Sequence, residues 1–213
     1  AIFLYMVAPD KLLGWNYELN DIEKSIILEK YHDLPNFGMG DAINYEAVIA
    51  ANPTIAVNCG KINDAMISDC DALSESLGIP VVAVDNELKN SAEAFRFMGE
   101  LLGVEDHAEE LAAYAEKTFK DIAALSDIPE DKKVRVYYGN GEDSLETAPN
   151  GSQHAQILDA INAINVADLE LGDGSRVQIS AEQLLAWNPD VIVVNDEPKS
   201  NKSGGSAAED ILN

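Results

Sequence analysis

Two stretches of the chain carry the same order of polar and apolar positions. Residues 44–57 read Asn-Tyr-Glu-Ala-Val-Ile-Ala-Ala-Asn-Pro-Thr-Ile-Ala-Val, and residues 180–193 read Ser-Ala-Glu-Gln-Leu-Leu-Ala-Trp-Asn-Pro-Asp-Val-Ile-Val. The shared positions stand at one offset, 182 − 46 = 136 residues. That is too long for a stacked solenoid and suits two similar lobes in one chain. Asn44 and Ser180 are good N-caps, and Ser180 with Gln183 has the spacing of a capping box. Glu46 and Glu182 fall in the first helical turn, where a carboxylate complements the positive end of the helix dipole. The apolar pairs Val48/Ile49 and Leu184/Leu185 are expected to face a core. Pro53 and Pro189 cannot continue a helix, and each biases the residue before it away from helical angles. The β-branched runs at 54–57 and 191–194 are expected as short buried strands.

Periodicity supplies the remaining elements. Residues 1–9 are expected as a helix, 10–15 pass into a short strand, and a helical stretch covers about 21–31. A turn is expected at 59–61. Residues 64–77 read as a helix with Ile67, Ala72, Leu73 and Leu77 inward and Gly78 as its C-terminal cap. The apolar run 80–84 suits a buried parallel strand, and 91–102 a further helix. Strands alternating with helices in this way imply α/β architecture around mainly parallel sheets. The longest helical pattern runs from Glu105 to about Leu125, with Leu111, Ala115, Phe119 and Ile122 along one stripe. It is either an ordinary crossover helix or a rigid strut between lobes, and the restart of alternation after it favours the strut. The expected division is an N-terminal α/β lobe at 1–104, an inter-lobe helix at 105–127 and an incomplete C-terminal α/β lobe at 128–213. Within the last, 134–138 is a strand, 139–151 a loop, 153–162 a helix and 169–177 a connector. Residues 195–207 read as a loop before a short helix.

Charge narrows the partners. The chain of 213 residues has a formal net charge of −24, so no basic patch exists to neutralise the phosphates of a nucleic acid. The same charge disfavours docking on an anionic membrane. Much of the acid is expected on solvated helix faces, where it favours solubility. Cys59 and Cys70 are too few for a disulfide framework, fit no zinc spacing, and read as free small residues. The apolar opening at 1–8 is too short to span a bilayer and has no basic leader, as in a chain trimmed within a folded element.

No catalytic constellation stands out. The loop Gly139-Asn-Gly141-Glu-Asp-Ser144 follows a strand, but Ser144 stands where a dinucleotide fingerprint needs its third glycine, and no lysine follows to make a phosphate loop. A turn with positive φ explains it, although loops after parallel strands also line ligand crevices. His32, His107 and His154 follow no metal-ligand spacing; His107 is expected at the surface and His154 near a cleft. No Gly-x-Ser-x-Gly elbow presents a nucleophile. A more coherent set lies at strand ends: Trp15, Asn16 and Tyr17, then Asn58, Asp85 and Asn86, then Tyr138 and Asn140, then Asn195 and Asp196. Each alone suits a core or turn residue, but their joint placement suits one crevice.

With these residues in hand, the chain resembles the periplasmic substrate-binding proteins that serve ABC importers of ferric siderophores, haem and cobalamin. The stretches that carry the likeness are Ala8-Pro-Asp-Lys-Leu-Leu-Gly-Trp15, Asn44-Tyr-Glu-Ala-Val-Ile-Ala-Ala-Asn-Pro53, Leu77-Gly-Ile-Pro-Val-Val82, Phe97-Met-Gly-Glu-Leu-Leu-Gly103 and Ser180-Ala-Glu-Gln-Leu-Leu-Ala-Trp-Asn-Pro-Asp190. The resemblance implies two Rossmann-like lobes joined by one long rigid helix, with a metal-chelate ligand held between them and only small tilts on binding. It implies a monomer without a cofactor of its own, outside the cytoplasm, periplasmic or lipid-anchored on the outer face of the cytoplasmic membrane. Trp15, Asn16, Tyr17, Asn58, Tyr138, Asn140, Arg176 and Asn195 become candidate ligand contacts. Glu46 and Glu182 become candidate docking residues for the permease dimer of an ABC importer. The family pattern also has a strand before the first helix and more elements after the second glutamate unit, so both lobes are expected to be trimmed here. With only Arg96, Arg135 and Arg176 as arginines, a strongly anionic siderophore fits less well. Two alternatives stand beside a transport role. One is a two-lobed enzyme, such as a metal chelatase or a metallocluster oxidoreductase subunit; the other is a ligand sensor with the same fold.

Overall fold

The computed structural model of the chain describes residues 1–141, 143–170 and 176–194. It is an α/β protein in two compact units, residues 1–116 and 117–213, and the division falls inside one long helix. No described helix is long and apolar enough to cross a membrane.

The first unit runs α1 (Ile2–Val7), α2 (Asp21–Ile26), α3 (Tyr45–Ala50), β1 (Ala56–Gly60), α4 (Asp64–Leu77), β2 (Val81–Asp85), α5 (Ser91–Leu102) and most of α6 (Glu105–Ile122). β1 and β2 pair in parallel, from Ala56 opposite Val81 to Gly60 opposite Asp85. Its core joins Val7, Val84, Phe95, Met98, Ala108 and Ala112, with Phe3 stacked on Phe95 at 4.9 Å. Burial of such side chains stabilises by about 1.5–3 kcal/mol each. Gly99 of α5 lets α6 approach closely, since a Cβ there would stand 2.3 Å from the Cβ of Ala108. A second cluster gathers Leu12, Trp15, Leu19, Ile27 and Tyr31.

The second unit holds the end of α6, then β3 (Arg135–Asn140), β4 (Glu146–Thr147), α7 (Gln156–Ala160), β5 (Ile164–Asn165), β6 (Val177–Gln178), α8 (Ala181–Trp187) and β7 (Val191–Val194). β3 is central, with β5 and β7 parallel to it and β4 antiparallel; β6 continues antiparallel from β4. Tyr137, Val166 and Leu184 form its small core.

Several expectations need correction. Residues 10–15 form no strand: a 3-10 turn at Pro9–Lys11 is followed by a single bridge from Trp15 to Asn36, and Pro35 has no N–H to extend a ladder. The helix expected to about 31 stops at Ile26, and Glu29–Tyr31 is a 3-10 turn. β1 starts at Ala56 rather than 54, because its partner strand is preceded by Pro80, whose carbonyl accepts from the Ala56 N–H but which cannot donate. Cys59 and Gly60 belong to β1 rather than to a turn, held there by pairing with Val84 and Asp85. On α4 the buried residues are Met66 and Cys70, while Ile67 and Ala72 are exposed; the stripe is Met66, Cys70, Leu73, Leu77. β7 is less buried than expected, because among the described strands it pairs only with β3 and forms an edge. Gly139 and Asn140 extend β3, and 146–147 is a strand inside the expected loop. The helix at 153–162 begins as a 3-10 turn and ends at Ala160. β4, β5 and β6 are two residues each, too short for a periodic signal. The expected loop and helix at 195–207 lie outside the described residues, as does much of the connector at 169–177.

Candidate functional site

The repeated helices are built alike. The Asn44 side chain accepts from the Ala47 N–H at 3.0 Å, and the Ser180 hydroxyl accepts from the Gln183 N–H at 3.2 Å. The reciprocal half of the expected capping box at Ser180 is not made. Both helices then run into an asparagine with positive φ, 51° at Asn52 and 45° at Asn188. Asparagine tolerates that region better than most residues, and its use resolves the helical angles that the following proline disfavours.

Glu46 and Glu182 sit in the first turns, exposed, and neither makes an ion pair with a described residue. The Glu182 carboxyl is held below its ordinary range by its own backbone N–H and by the Ser180 hydroxyl. Each helix departs from expectation at the next turn. Val48 and Leu184 are buried, both 9% exposed, but Ile49 is 55% exposed and Leu185 78%. Only one residue of each apolar pair faces the core, because helices of six or seven residues have only one inner face. Beside Ile49, a shallow hollow of about 80 Å³ is lined by Val48, Ile49, Asn52, Pro53, Leu77 and Ile79. It is well below the roughly 300–1,000 Å³ of a small-molecule pocket.

Among the candidate ligand contacts of the first unit, Trp15 lies in the core at 2% exposure and donates its indole N–H to the Tyr31 carbonyl at 2.8 Å. Tyr17 donates to Glu23 at 2.8 Å, and partial burial together with that carboxylate pushes its phenol up to about 12. Asn16 reaches the Met39 sulfur at 3.9 Å through Nδ2, while its Oδ1 is buried without a partner. Asn58 lies inside β1, opposite Ala83. At the end of β2, Asp85 accepts from the Glu87 N–H and the Asn90 amide, a local turn role.

In the second unit, Tyr138 and Asn140 lie on β3, and Asn140 pairs with Glu146 in the antiparallel ladder. Asn140 is 0% exposed, and both its amide atoms lack partners among the described residues. A buried amide with neither atom bonded costs about 1–3 kcal/mol for each group, which makes Asn140 the candidate contact with the most to gain from a polar partner. Ser144, with φ 57°, closes the turn before Glu146, and its carbonyl accepts from the Tyr137 hydroxyl at 2.8 Å. Burial, then the charge of Asp143, lifts the Tyr137 phenol. Arg176 stands 3.7 Å from the Glu146 carboxylate, and Glu146 is the residue opposite Asn140 in the β3–β4 ladder. Asn195 lies outside the described residues.

Sequence reasoning missed the buried polar set around β3. Ser144, Thr147, Ser152 and Asn165 are all enclosed. Thr147 bonds the Tyr138 carbonyl and Asn165 the Ala148 carbonyl. Asparagine and serine in a loop otherwise read as turn residues, so no local signal marked them. His154 and His107 are exposed, and Cys59 and Cys70 are free. No group of three or more His, Cys, Asp or Glu among the described residues is placed to hold a metal ion.

A family model described as periplasmic binding protein matches residues 6–211. The molybdate-binding protein MolA of Haemophilus influenzae is 26% identical over 189 residues, covering 77% of this chain and 52% of that protein. The chain spans about half the length of the curated relatives it matches. An ABC transporter solute binding protein from Sulfurospirillum deleyianum superposes with a TM-score of 0.80 at 24% identity, over 90% of this chain and 62% of that one. The periplasmic vitamin B12 binding protein BtuF of Vibrio cholerae superposes with a TM-score of 0.70 at 16% identity, over 91% and 72%. At these identities the two likenesses show the fold.

Proposed function

The chain belongs to the periplasmic binding protein family, and on that premise we propose that it captures a small ligand outside the cytoplasm and delivers it to an ABC importer. The observation that carries the reading is the duplicated helix, capped alike in both units and offering at the same position an exposed glutamate, Glu46 and Glu182, without an ion pair among the described residues. A two-fold permease needs two equivalent contacts, and a carboxylate facing arginine makes a charge-assisted, orienting pair. The division into lobes at 1–104 and 128–213 with a helix at 105–127 belongs to the same proposal.

The ligand we propose is a metal chelate of the ferric siderophore, haem or cobalamin class. It would be contacted by Asn16, Asn58, Tyr138, Asn140 and Arg176, with Trp15 and Tyr17 supporting the first of these and Asn195 a further candidate. The Asn140 amide has both a donor and an acceptor to satisfy and Asn16 an acceptor, which suits a ligand that carries both kinds of group, and among the described residues Arg176 already faces Glu146. A free oxyanion is the second reading, favoured by the name of the Haemophilus influenzae relative. Binding rather than turnover is proposed, in keeping with the family.

Intrinsic fluorescence titration against ferric siderophores, haem, cobalamin and molybdate tests the ligand class, with one-to-one saturation expected for one of the chelates. Conversion of the ligand would sink the transport reading in favour of an enzyme. Replacing Glu46 and Glu182 together by alanine should leave ligand affinity unchanged and abolish uptake; normal uptake would reduce both to helix caps.

A further inference from the structure

We propose that each docking point has a second, apolar half: Ile49, one turn after Glu46, and Leu185, one turn after Glu182. The proposal rests on the importer reading above and adds the kind of surface the partner must present, a cation beside an apolar seat, offered twice.

The observation is a repeated violation of the fold's own pattern. In both helices the third residue after the glutamate is large, apolar and turned to solvent, at 55% and 78% exposure. The neighbours that hold the helix down, Val48 and Leu184, are already buried, so among the described residues the core closes without burying Ile49 or Leu185. Single exposed apolar residues are common and need no explanation; the same one in both copies of a duplicated unit, on the same side as an ion-pair-free carboxylate, does. Residues three apart on a helix have side chains about 5–6 Å apart, so one partner surface meets both. Ala50 and Ala186, also exposed, leave the next turn low. In the first unit the hollow lined by Val48, Ile49, Pro53 and Leu77 adds a recess beside the knob.

Magnitudes favour such a pairing. An exposed ion pair contributes little affinity by itself, because it is screened and its side chains lose freedom. Its strength lies in orientation and association rate. Lasting contact comes from a few anchors that are desolvated in the complex. Glutamate alone would therefore give a weak docking point, and an apolar neighbour supplies what the charge lacks. A second copy of this chain is a poor occupant, since a net charge of −24 and like carboxylates on both faces repel; a cationic partner fits.

The test uses the full chain and an ABC importer in lipid nanodiscs, identified as the one whose ATPase activity the wild-type protein stimulates. Ile49→Ser and Leu185→Ser should each weaken binding about tenfold, equivalent to about 1.4 kcal/mol, and the pair about a hundredfold. Ile49→Leu should bind as wild type. The serine variants should keep the salt dependence of wild type, whereas Glu46→Gln with Glu182→Gln should flatten it. Far-UV circular dichroism should show all variants folded. Serine variants that bind as wild type while the glutamine pair does not would overturn this inference and leave the importer reading standing. Sedimentation showing a dimer that the serine changes dissolve would overturn it in favour of a second copy. A wild-type protein that stimulates no importer would overturn the importer reading, and this inference with it.

Discussion

Replacing Asn140 with leucine should make the protein more stable and cost it its ligand. The side chain is wholly enclosed at the end of β3, and neither Oδ1 nor Nδ2 has a partner. Leucine has the same number of heavy atoms and the same branch at Cγ, so the change is chiefly one of polarity. Leaving a buried polar group unbonded costs about 1–3 kcal/mol, so relieving both atoms returns roughly 2–6 kcal/mol. The wider methyl groups take back about 1–3 kcal/mol through overpacking. The net is about 2 kcal/mol in favour of the variant. For a chain of this size that is a rise of roughly 4–8 °C in the unfolding midpoint, at about 2–4 °C per kcal/mol. Differential scanning calorimetry without ligand is the assay, followed with tryptophan and tyrosine fluorescence because two units need not unfold as one. The same variant should show no saturable response to the chelates that wild type binds. A lower midpoint together with unchanged binding would refute the reasoning, because it would mean that the amide is satisfied within the fold in solution and has no ligand to meet.

Gly99→Ala should lower the midpoint by several degrees, since its new Cβ would meet that of Ala108 at 2.3 Å and overpacking of this kind costs about 1–3 kcal/mol; thermal unfolding checks it, and an unchanged midpoint would show that α5 and α6 can part freely. Arg96→Met tests an exposed charge network in which Arg96 donates to Glu109 at 2.7 and 2.8 Å and to Glu116 at 2.6 Å. The Arg96 hydrogen bonds hold the Glu109 carboxyl below its ordinary range. A depressed folded-state value means stability that is fully present above the ordinary carboxylate range and is lost as the pH falls from there through the depressed value. The midpoints of wild type and variant should therefore differ most near neutral pH and converge below about pH 4. A gap that persists in acid would assign Arg96 a packing role instead.

The parts of the fold that were legible are those where local chemistry and tertiary demand agree. α4, α5 and β7 have the expected bounds because periodicity coincides with a stop or start signal at each: Asn63 and Gly78 bracket α4, Gly103 ends α5, and Asn188-Pro189 sets off β7. β4, β5 and β6 were invisible because a two-residue strand exists only through its partner, and no property of Glu146 or Ile164 announces one. Trp15 illustrates a different limit. Its place at the end of an apolar stretch suggested a ligand contact, whereas the structure spends its indole N–H on the Tyr31 carbonyl. Sequence shows that an aromatic residue lies near a candidate crevice, but not which way the ring turns. Asn16 and Asn140 share that strand-end placement, and among the described residues they carry the buried side-chain polar atoms without a partner. Placement at a strand end is legible in sequence, whereas the lack of a partner for the amide among the described residues depends on how the surrounding chain packs.

The misjudged apolar pairs are the more informative failure. Val48/Ile49 and Leu184/Leu185 were assigned to a core because adjacent large apolar residues on an amphipathic helix ordinarily share its inner face. That rule holds for helices long enough to wrap a core, and it fails on helices of six and seven residues, whose inner face has room for one side chain per turn. Folding alone would accept a polar residue at 49 and at 185. Where local rules and the observed residue disagree without a structural gain, a site is the first place to look. Here the disagreement occurs twice, at one offset, each time beside an exposed glutamate held at a capped helix start. Chance placement of an exposed apolar residue predicts no such correspondence between the two units. A partner that reads both units through the same chemistry does.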